Sequence, residues 1–264
     1  IVSTPTPSHA PLIRAALAAG KHVFAEKPLC CEPSDVPSLF ALAERQQLVL
    51  HTAYNRRHDP AINEAVDAVR SRSKGAVLGV SLVSRDYPYP PAHYLATSGN
   101  LFKDCVVHDL DYLTWMLDEM PTSVRAHASS SASERSGGMY EYSSVQLTFA
   151  SSGPATLINA RVADSYDHRL DVYCEHGAIK VDNPTTVGGK TTAITFSERF
   201  AASYHRQIEA FAASVRRVSS GAEPAAKHFN IDAERSLLLE RLIDACHRSV
   251  DTGGALVHLS QLKH

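Results

Sequence analysis

Asp104 and His108 stand four residues apart in the stretch 98–115, which reads SGNLFKDCVVHDLDYLTW. Leu101, Val107, Leu110, Leu113 and Leu117 recur at helical spacing, so the stretch reads as a buried helix that begins near Leu101, with Gly99 and Asn100 leading in. Residues four apart on a helix lie one above the other on one face. A carboxylate placed over an imidazole can hold a hydroxyl while the imidazole takes or returns its proton near neutral pH. The same spacing also describes an ordinary hydrogen-bonded pair on a helix surface. What favours chemistry is a second element far upstream, Glu26-Lys27-Pro28, which offers a carboxylate and an ammonium at a strand end.

The elements that must position these groups follow a pattern. Residues 1–4 read as a strand stopped by Pro5 and Pro7, and Ser8 is the expected N-cap of a helix that Gly20 ends. Residues 21–25 form the next strand, 34–46 a helix, 48–53 a third strand and 60–70 another helix. Strands alternating with helices at this spacing make βαβ units and a parallel sheet, and such sheets bind ligands at the carboxyl ends of their strands. Those ends are Thr4-Pro5, Glu26-Lys27-Pro28 and Asn55-Arg56-Arg57.

After Gly75 the pattern changes. A strand over 77–84 and a Pro/Tyr-rich loop lead to the central helix. Strands then dominate, at about 122–130, 140–149, 155–162, 168–174 and 178–182, with a polar hairpin loop over 129–138. Helices over 200–218 and 233–250 precede a short strand at 255–259. The expected plan is α/β plus α+β: the C-terminal half of a parallel nucleotide-binding sheet over 1–75, then an α+β domain with a large, mostly antiparallel sheet over 76–264.

Composition narrows the class. With 28 acidic and 26 basic residues the chain lacks the basic excess expected of a partner for nucleic acid or a membrane surface. No run approaches a membrane span and no leader opens the chain, so a cytoplasmic location is expected. The five cysteines, 30, 31, 105, 174 and 246, form no CxxC pair and read as reduced thiols. Cys105 reads as a small core residue rather than a nucleophile.

With these pieces in order, the chain resembles the glucose–fructose oxidoreductase/inositol dehydrogenase (Gfo/Idh/MocA) family over nearly its whole length. The matching segments are Thr4-Pro5-Thr6-Pro7-Ser8-His9, the EKP motif at 26–28 and Asn55-Arg56-Arg57-His58-Asp59-Pro60. The helix from Ser98-Gly99 through Asp104, His108 and Asp111 matches as well, as do Tyr166-Asp167-His168-Arg169 with Glu175-His176-Gly177, and Glu198-Arg199-Phe200 with Tyr204. Asn100 replaces the usual second glycine, and His58 stands where an aromatic is common. The family's glycine-rich phosphate loop and ribose-reading acid are expected ahead of Ile1, so the chain reads as lacking the first part of its Rossmann domain. NAD and NADP are therefore not distinguished.

The resemblance implies hydride transfer between NAD(P) and a secondary hydroxyl of a polyol or sugar, with inositol dehydrogenase the nearest subclass. It implies that Lys27 hydrogen-bonds the reacting oxygen, that His108 is the acid/base and that Asp104 binds a substrate hydroxyl and steers His108. Thr4, Pro5, Glu26, Lys27 and Asn55 resemble cofactor contacts, and Arg57, Tyr166, His168 and Tyr204 resemble substrate-pocket residues. His9 reads as a cap or packing residue, and Asp109 and Asp111 are expected to face solvent or cap neighbouring segments. A homodimer or homotetramer built on the sheet of the second domain is expected. Two other readings stand beside this: a divalent-metal site from Asp104, His108 and His58, and a non-catalytic paralogue that acts through self-association.

Overall fold

The computed structural model describes residues 1–132, 137, 139–183 and 194–261. Most of the loop expected over 129–138 lies outside the described residues. In chain order the helices are α1 (His9–Ala18), α2 (Val36–Arg45), α3 (Pro60–Arg70), α4 (Ala92–Leu95), α5 (Val107–Leu117), α6 (Phe196–Arg199), α7 (Ala201–Ser219) and α8 (Ala233–Asp251). The strands are β1 (Val23–Ala25), β2 (Leu50–Thr52), β3 (Val77–Arg85), β4 (Ser123–Ser129), β5 (Tyr142–Thr148), β6 (Ala155–Ala160), β7 (Asp167–Cys174), β8 (Gly177–Val181) and β9 (Val257–His258). Among the described residues, no helix is long and apolar enough to cross a membrane.

Two compact units emerge. The first combines residues 1–58 with 202–240. Its β1 and β2 pair in parallel, and the strand expected at residues 1–4 reduces to a parallel bridge from Val2 to Ala25. Both faces of this sheet are covered, as parallel sheets require. Val23, Ala25 and Leu50 point to Ile13 and Leu17 of α1 and to Leu39, Phe40 and Ala43 of α2. Phe24 and His51 point the other way, onto Phe211 of α7, with ring centroids 5.7 and 5.3 Å apart. Burial of each of the Val, Leu and Ile side chains in this core contributes about 1.5–3 kcal/mol. Ser8 precedes α1 as expected, but its hydroxyl donates to Pro5 O and makes no side-chain cap.

The second unit combines residues 59–201 with 241–264. Its seven-stranded sheet has the order β8-β7-β3-β6-β5-β4-β9 and is antiparallel except for the β3–β6 pair. Side chains alternate along the strands, as the two-residue period dictates. Leu82, Leu170, Leu157, Val145 and Val124 form the buried face, while Tyr173, Gln146, Arg125 and His127 lie exposed on the other. Helix α5 lies on the buried face: its Asp109 bonds to Ser84 of β3 and Asn159 of β6, and its Tyr112 to His168 of β7. Helix α3 is N-capped by Asp59, whose Oδ1 accepts from Ile62 N at 3.1 Å.

Candidate active site

In the first unit the carboxyl ends of the parallel segments gather Thr4, Glu26, Lys27 and Asn55. Glu26 N donates to Val2 O and Ala53 N to Ala25 O, both at 2.8 Å, which sets the three segment ends in register. His9, buried at the start of α1, places its ring between two loop carbonyls. Nδ1 lies 2.9 Å from Pro28 O, and Nε2 lies 2.7 Å from Thr4 O. The packing role expected of His9 is thus specific: it ties the Thr4-Pro5 loop to the Lys27-Pro28 loop. Lys27 and Glu26 are half-buried. Burial raises the Glu26 carboxyl above its ordinary value, while Lys27, its backbone N–H and His9 pull the other way.

Asn55 is buried at the end of β2 in a 3-10 turn over Asn55–His58, where its amide donates to Ser203 Oγ at 3.1 Å. Arg57 donates to Asn230 O at 3.0 Å. Asn230 itself acts as a substitute strand. Its Oδ1 accepts from Thr52 N at 2.9 Å and its Nδ2 donates to Thr52 O at 2.5 Å, satisfying both backbone groups on the free edge of β2. Sequence reading missed Asn230, since a lone asparagine in a loop carries no signal of such a role. Tyr204 lies half-buried on α7, beside the buried Ser203.

In the second unit the approach to the central helix differs from expectation. Phe102–Val106 is a π-helical turn, and α5 begins only at Val107. Such widened turns recur at functional sites. Gly99 enters this turn at φ +80°, a conformation that glycine adopts freely. Asn100 caps it: Oδ1 accepts from Phe102 N and Lys103 N at 3.1 and 3.2 Å, while its amide meets His247 Nε2. The asparagine that replaces the family's second glycine therefore has a structural use.

Asp104 is buried within this turn. Its Oδ1 accepts from Tyr94 Oη at 2.9 Å and its Oδ2 from Arg161 Nη2 at 3.0 Å. His108 follows four residues later, half-buried, at the first turn of α5. Cys105 donates to Asp86 Oδ2 at 3.0 Å. Burial, with Asp86 and Asp104 beside it, pushes the Cys105 thiol well above its usual range, which keeps it protonated and removes it as a nucleophile.

Tyr166 and His168 are both buried and flank Phe200, with ring centroids 5.8 and 5.4 Å from it. His168 Nε2 lies 3.2 Å from Tyr112 Oη. Asp109 and Asp111 do not face solvent: they are 0 and 1 % exposed. Helix α5 is covered nearly all round, and Asp109 takes hydrogen bonds from Ser84 Oγ (3.1 Å) and Asn159 Nδ2 (2.6 Å). A buried carboxylate is tolerable only with such partners. Among the described residues, no three His, Cys, Asp or Glu side chains are grouped to hold a metal ion.

With this geometry in hand, comparison with known proteins is decisive. The model of the oxidoreductase family with an NAD-binding Rossmann fold matches residues 1–54, and that of the GFO/IDH/MocA C-terminal domain matches residues 62–180. An inositol 2-dehydrogenase of Rhizobium meliloti is 33% identical over 266 aligned positions, covering 95% of this chain and 77% of that protein. The chain belongs to the Gfo/Idh/MocA family.

A myo-inositol 2-dehydrogenase of Thermotoga maritima is 31% identical over 252 positions, covering 90% of this chain and 74% of the relative. The crystal structure of a probable dehydrogenase from Thermotoga maritima superposes with a TM-score of 0.86 at 28% identity, over 99% of this chain and 80% of that one. The chain is thus an oxidoreductase of an NAD-binding family, with a Rossmann-type parallel sheet and a mostly antiparallel C-terminal sheet. The groups at the carboxyl edge of the first unit fit the ribose and nicotinamide end of NAD. A half-buried carboxylate, Glu26, suits ribose hydroxyls, and the Asn55 amide and Thr4 hydroxyl supply further donors and acceptors.

Proposed function

We propose that this protein transfers hydride between a secondary hydroxyl of an inositol-like cyclic polyol and NAD. The observation that carries the reading is the Asp104–His108 turn. A carboxylate fixed by two donors stands one helical turn from an imidazole, at the entrance of the central helix. The relatives, an inositol 2-dehydrogenase and a myo-inositol 2-dehydrogenase, suggest the substrate class.

Oxidised NAD, when bound, accepts the hydride. The chain's own residues handle the oxygen and its proton. Lys27 hydrogen-bonds the reacting hydroxyl and stabilises the negative charge that develops as the carbonyl forms. His108 takes the hydroxyl proton in oxidation and returns it in reduction. Asp104 accepts hydrogen bonds from neighbouring hydroxyls and fixes which carbon faces the nicotinamide. Thr4, Pro5, Glu26 and Asn55 hold the nicotinamide end of the cofactor. Arg57, Tyr166, His168 and Tyr204 are assigned to recognition of the polyol.

The exposed face of the seven-stranded sheet, with Tyr142 and Tyr173 at 42 and 49 % exposure, supports assembly of two or four copies through that face. The test of the reading is initial-rate assay of the full-length protein with NAD and a panel of inositols, linear polyols and aldoses. Turnover restricted to cyclic polyols supports the reading. Turnover of aldoses alone would replace it.

A further inference from the structure

Three successive N–H groups at the start of the π turn hang on one residue. Asn100 Oδ1 accepts from Phe102 N and Lys103 N at 3.1 and 3.2 Å, and the Asn100 main-chain carbonyl accepts from Asp104 N at 3.0 Å. These bonds also fix the side-chain amide, because a flipped amide would turn its NH2 onto two N–H donors. The NH2 therefore points away from the turn. It meets Nε2 of His247 on α8, a half-buried ring that packs edge-on against Phe102 with centroids 5.2 Å apart. Since Asn100 Nδ2 can only donate, His247 Nε2 is the acceptor, so the imidazole is neutral with its proton on Nδ1.

We propose that His247 is a positioning residue for the reaction: as a neutral acceptor it braces the Asn100 amide that caps the turn bearing Asp104, and its protonation releases that brace. This inference rests on the hydride-transfer reading above, which gives Asp104 and His108 their roles.

Protonation reverses the contact. An Nε2–H would face the NH2 of Asn100, donor against donor, and the amide cannot turn away without abandoning Phe102 N and Lys103 N. Burial holds the His247 pKa below its ordinary 6.5. The Lys103 ammonium of the π turn adds to that shift, while Asp244 and Asp251 of α8 oppose it. The brace is thus intact above about pH 6.5 and is lost progressively as pH falls below that value. Asn100 stands where glycine is usual in the family, and glycine has no side chain with which to make this contact.

The test uses the full-length protein and two readouts. Histidine ring NMR at pH 7.5, with His247 assigned by its loss in His247→Gln, is expected to show one ring proton, on Nδ1. A proton on Nε2 would overturn the proposal and leave the polyol reading intact. The second readout is kcat/KM for myo-inositol from pH 5 to 8, with thermal unfolding as the check of fold. His247→Leu removes the acceptor and is expected to lower kcat/KM at pH 8 by about 3–10-fold, while His247→Gln, which offers an amide oxygen, restores it to within about threefold of wild type. Glutamine does not titrate, so the ratio of His247→Gln to wild type is expected to rise about twofold or more between pH 8 and 5; the contribution of His108 is common to both and cancels. Should the His247 variants fold poorly, Asn100→Asp gives the same contrast. It keeps the cap but turns a carboxylate oxygen to the ring, so His247 is expected to titrate at higher pH than in the wild type and the loss of kcat/KM in acid to shrink. A ratio independent of pH, or an unmoved His247 titration in Asn100→Asp, would overturn the proposal while the polyol reading stood. A wild-type protein idle on every polyol would withdraw the hydride-transfer reading and the positioning role together.

Discussion

Acidification should weaken the first unit through one residue, His51. It sits in the middle of β2, 3% exposed, between the sheet and Phe211, with Nε2 2.6 Å from His228 O. Burial lowers its pKa from the model-peptide 6.5 to about 4. The His228 carbonyl opposes that shift, and the charges of His58 and His228 add to it. The folded state thus binds a proton less readily than the unfolded chain. Stability is then fully present above about pH 6.5, falls as pH drops toward 4, and falls no further from this source below 4.

A gap of about 2.5 units at about 1.36 kcal/mol each sets a ceiling of about 3 kcal/mol, of which about 2 kcal/mol is lost between pH 7 and pH 5. Urea unfolding of wild type and of His51→Gln across pH 4–7.5 isolates the term. Glutamine keeps a donor for His228 O but does not titrate, and the other groups cancel in the difference. The wild type should lose about 2 kcal/mol more than the variant between pH 7 and 5. Parallel curves would refute the reasoning.

Three further outcomes are expected. Asp59→Ala removes the cap of α3 and strands the buried Arg199, which now donates to Asp59 Oδ2 at 2.8 Å; a loss of about 3–5 kcal/mol is expected in thermal unfolding, with Asp59→Asn milder because it keeps a cap. Gly153→Ala places a Cβ 1.9 Å from the Leu78 carbonyl oxygen, so the β3 backbone must shift; a lowered Tm corresponding to about 1–3 kcal/mol, with β3 amides exchanging faster by mass spectrometry, checks it. Alkylation with iodoacetamide at neutral pH should label the exposed Cys31 and spare Cys105 and Cys246, whose buried thiols lie far above neutrality; peptide mapping reads the pattern.

Much of this fold was legible because local signals agreed with one another. Asp59-Pro60 announced the start of α3, and it begins at Pro60. The alternation in residues 140–149 and 168–174 marked strands that exist as β5 and β7. The candidate site was read from residue types, through EKP and the Asp104–His108 spacing. What was hidden depends on long-range partners. The π turn at 102–106 is held in part by Tyr94 and Arg161, which reach Asp104 from 10 and 57 residues away, and a local reading does not see them. Asp109 and Asp111 looked solvent-facing because charge usually is, and Ser84 and Asn159, the partners that permit burial of Asp109, are 25 and 50 residues away. The return of residues 202–240 to the first unit was invisible too, because a helical period gives a face but not the surface that covers it.

The account stands on Lys27 and His108 acting on a polyol hydroxyl with NAD as hydride acceptor. The most direct measurement is steady-state reduction of NAD by myo-inositol, followed by nicotinamide absorbance, for wild type, Lys27→Ala and His108→Ala of the full-length protein, with NADH affinity measured alongside. The account expects turnover in the wild type, a fall in kcat of about 10²-fold or more in each variant, and NADH affinity within about threefold. Variants that turn over at the wild-type rate, or a wild type that binds NADH yet oxidises no polyol, would contradict it.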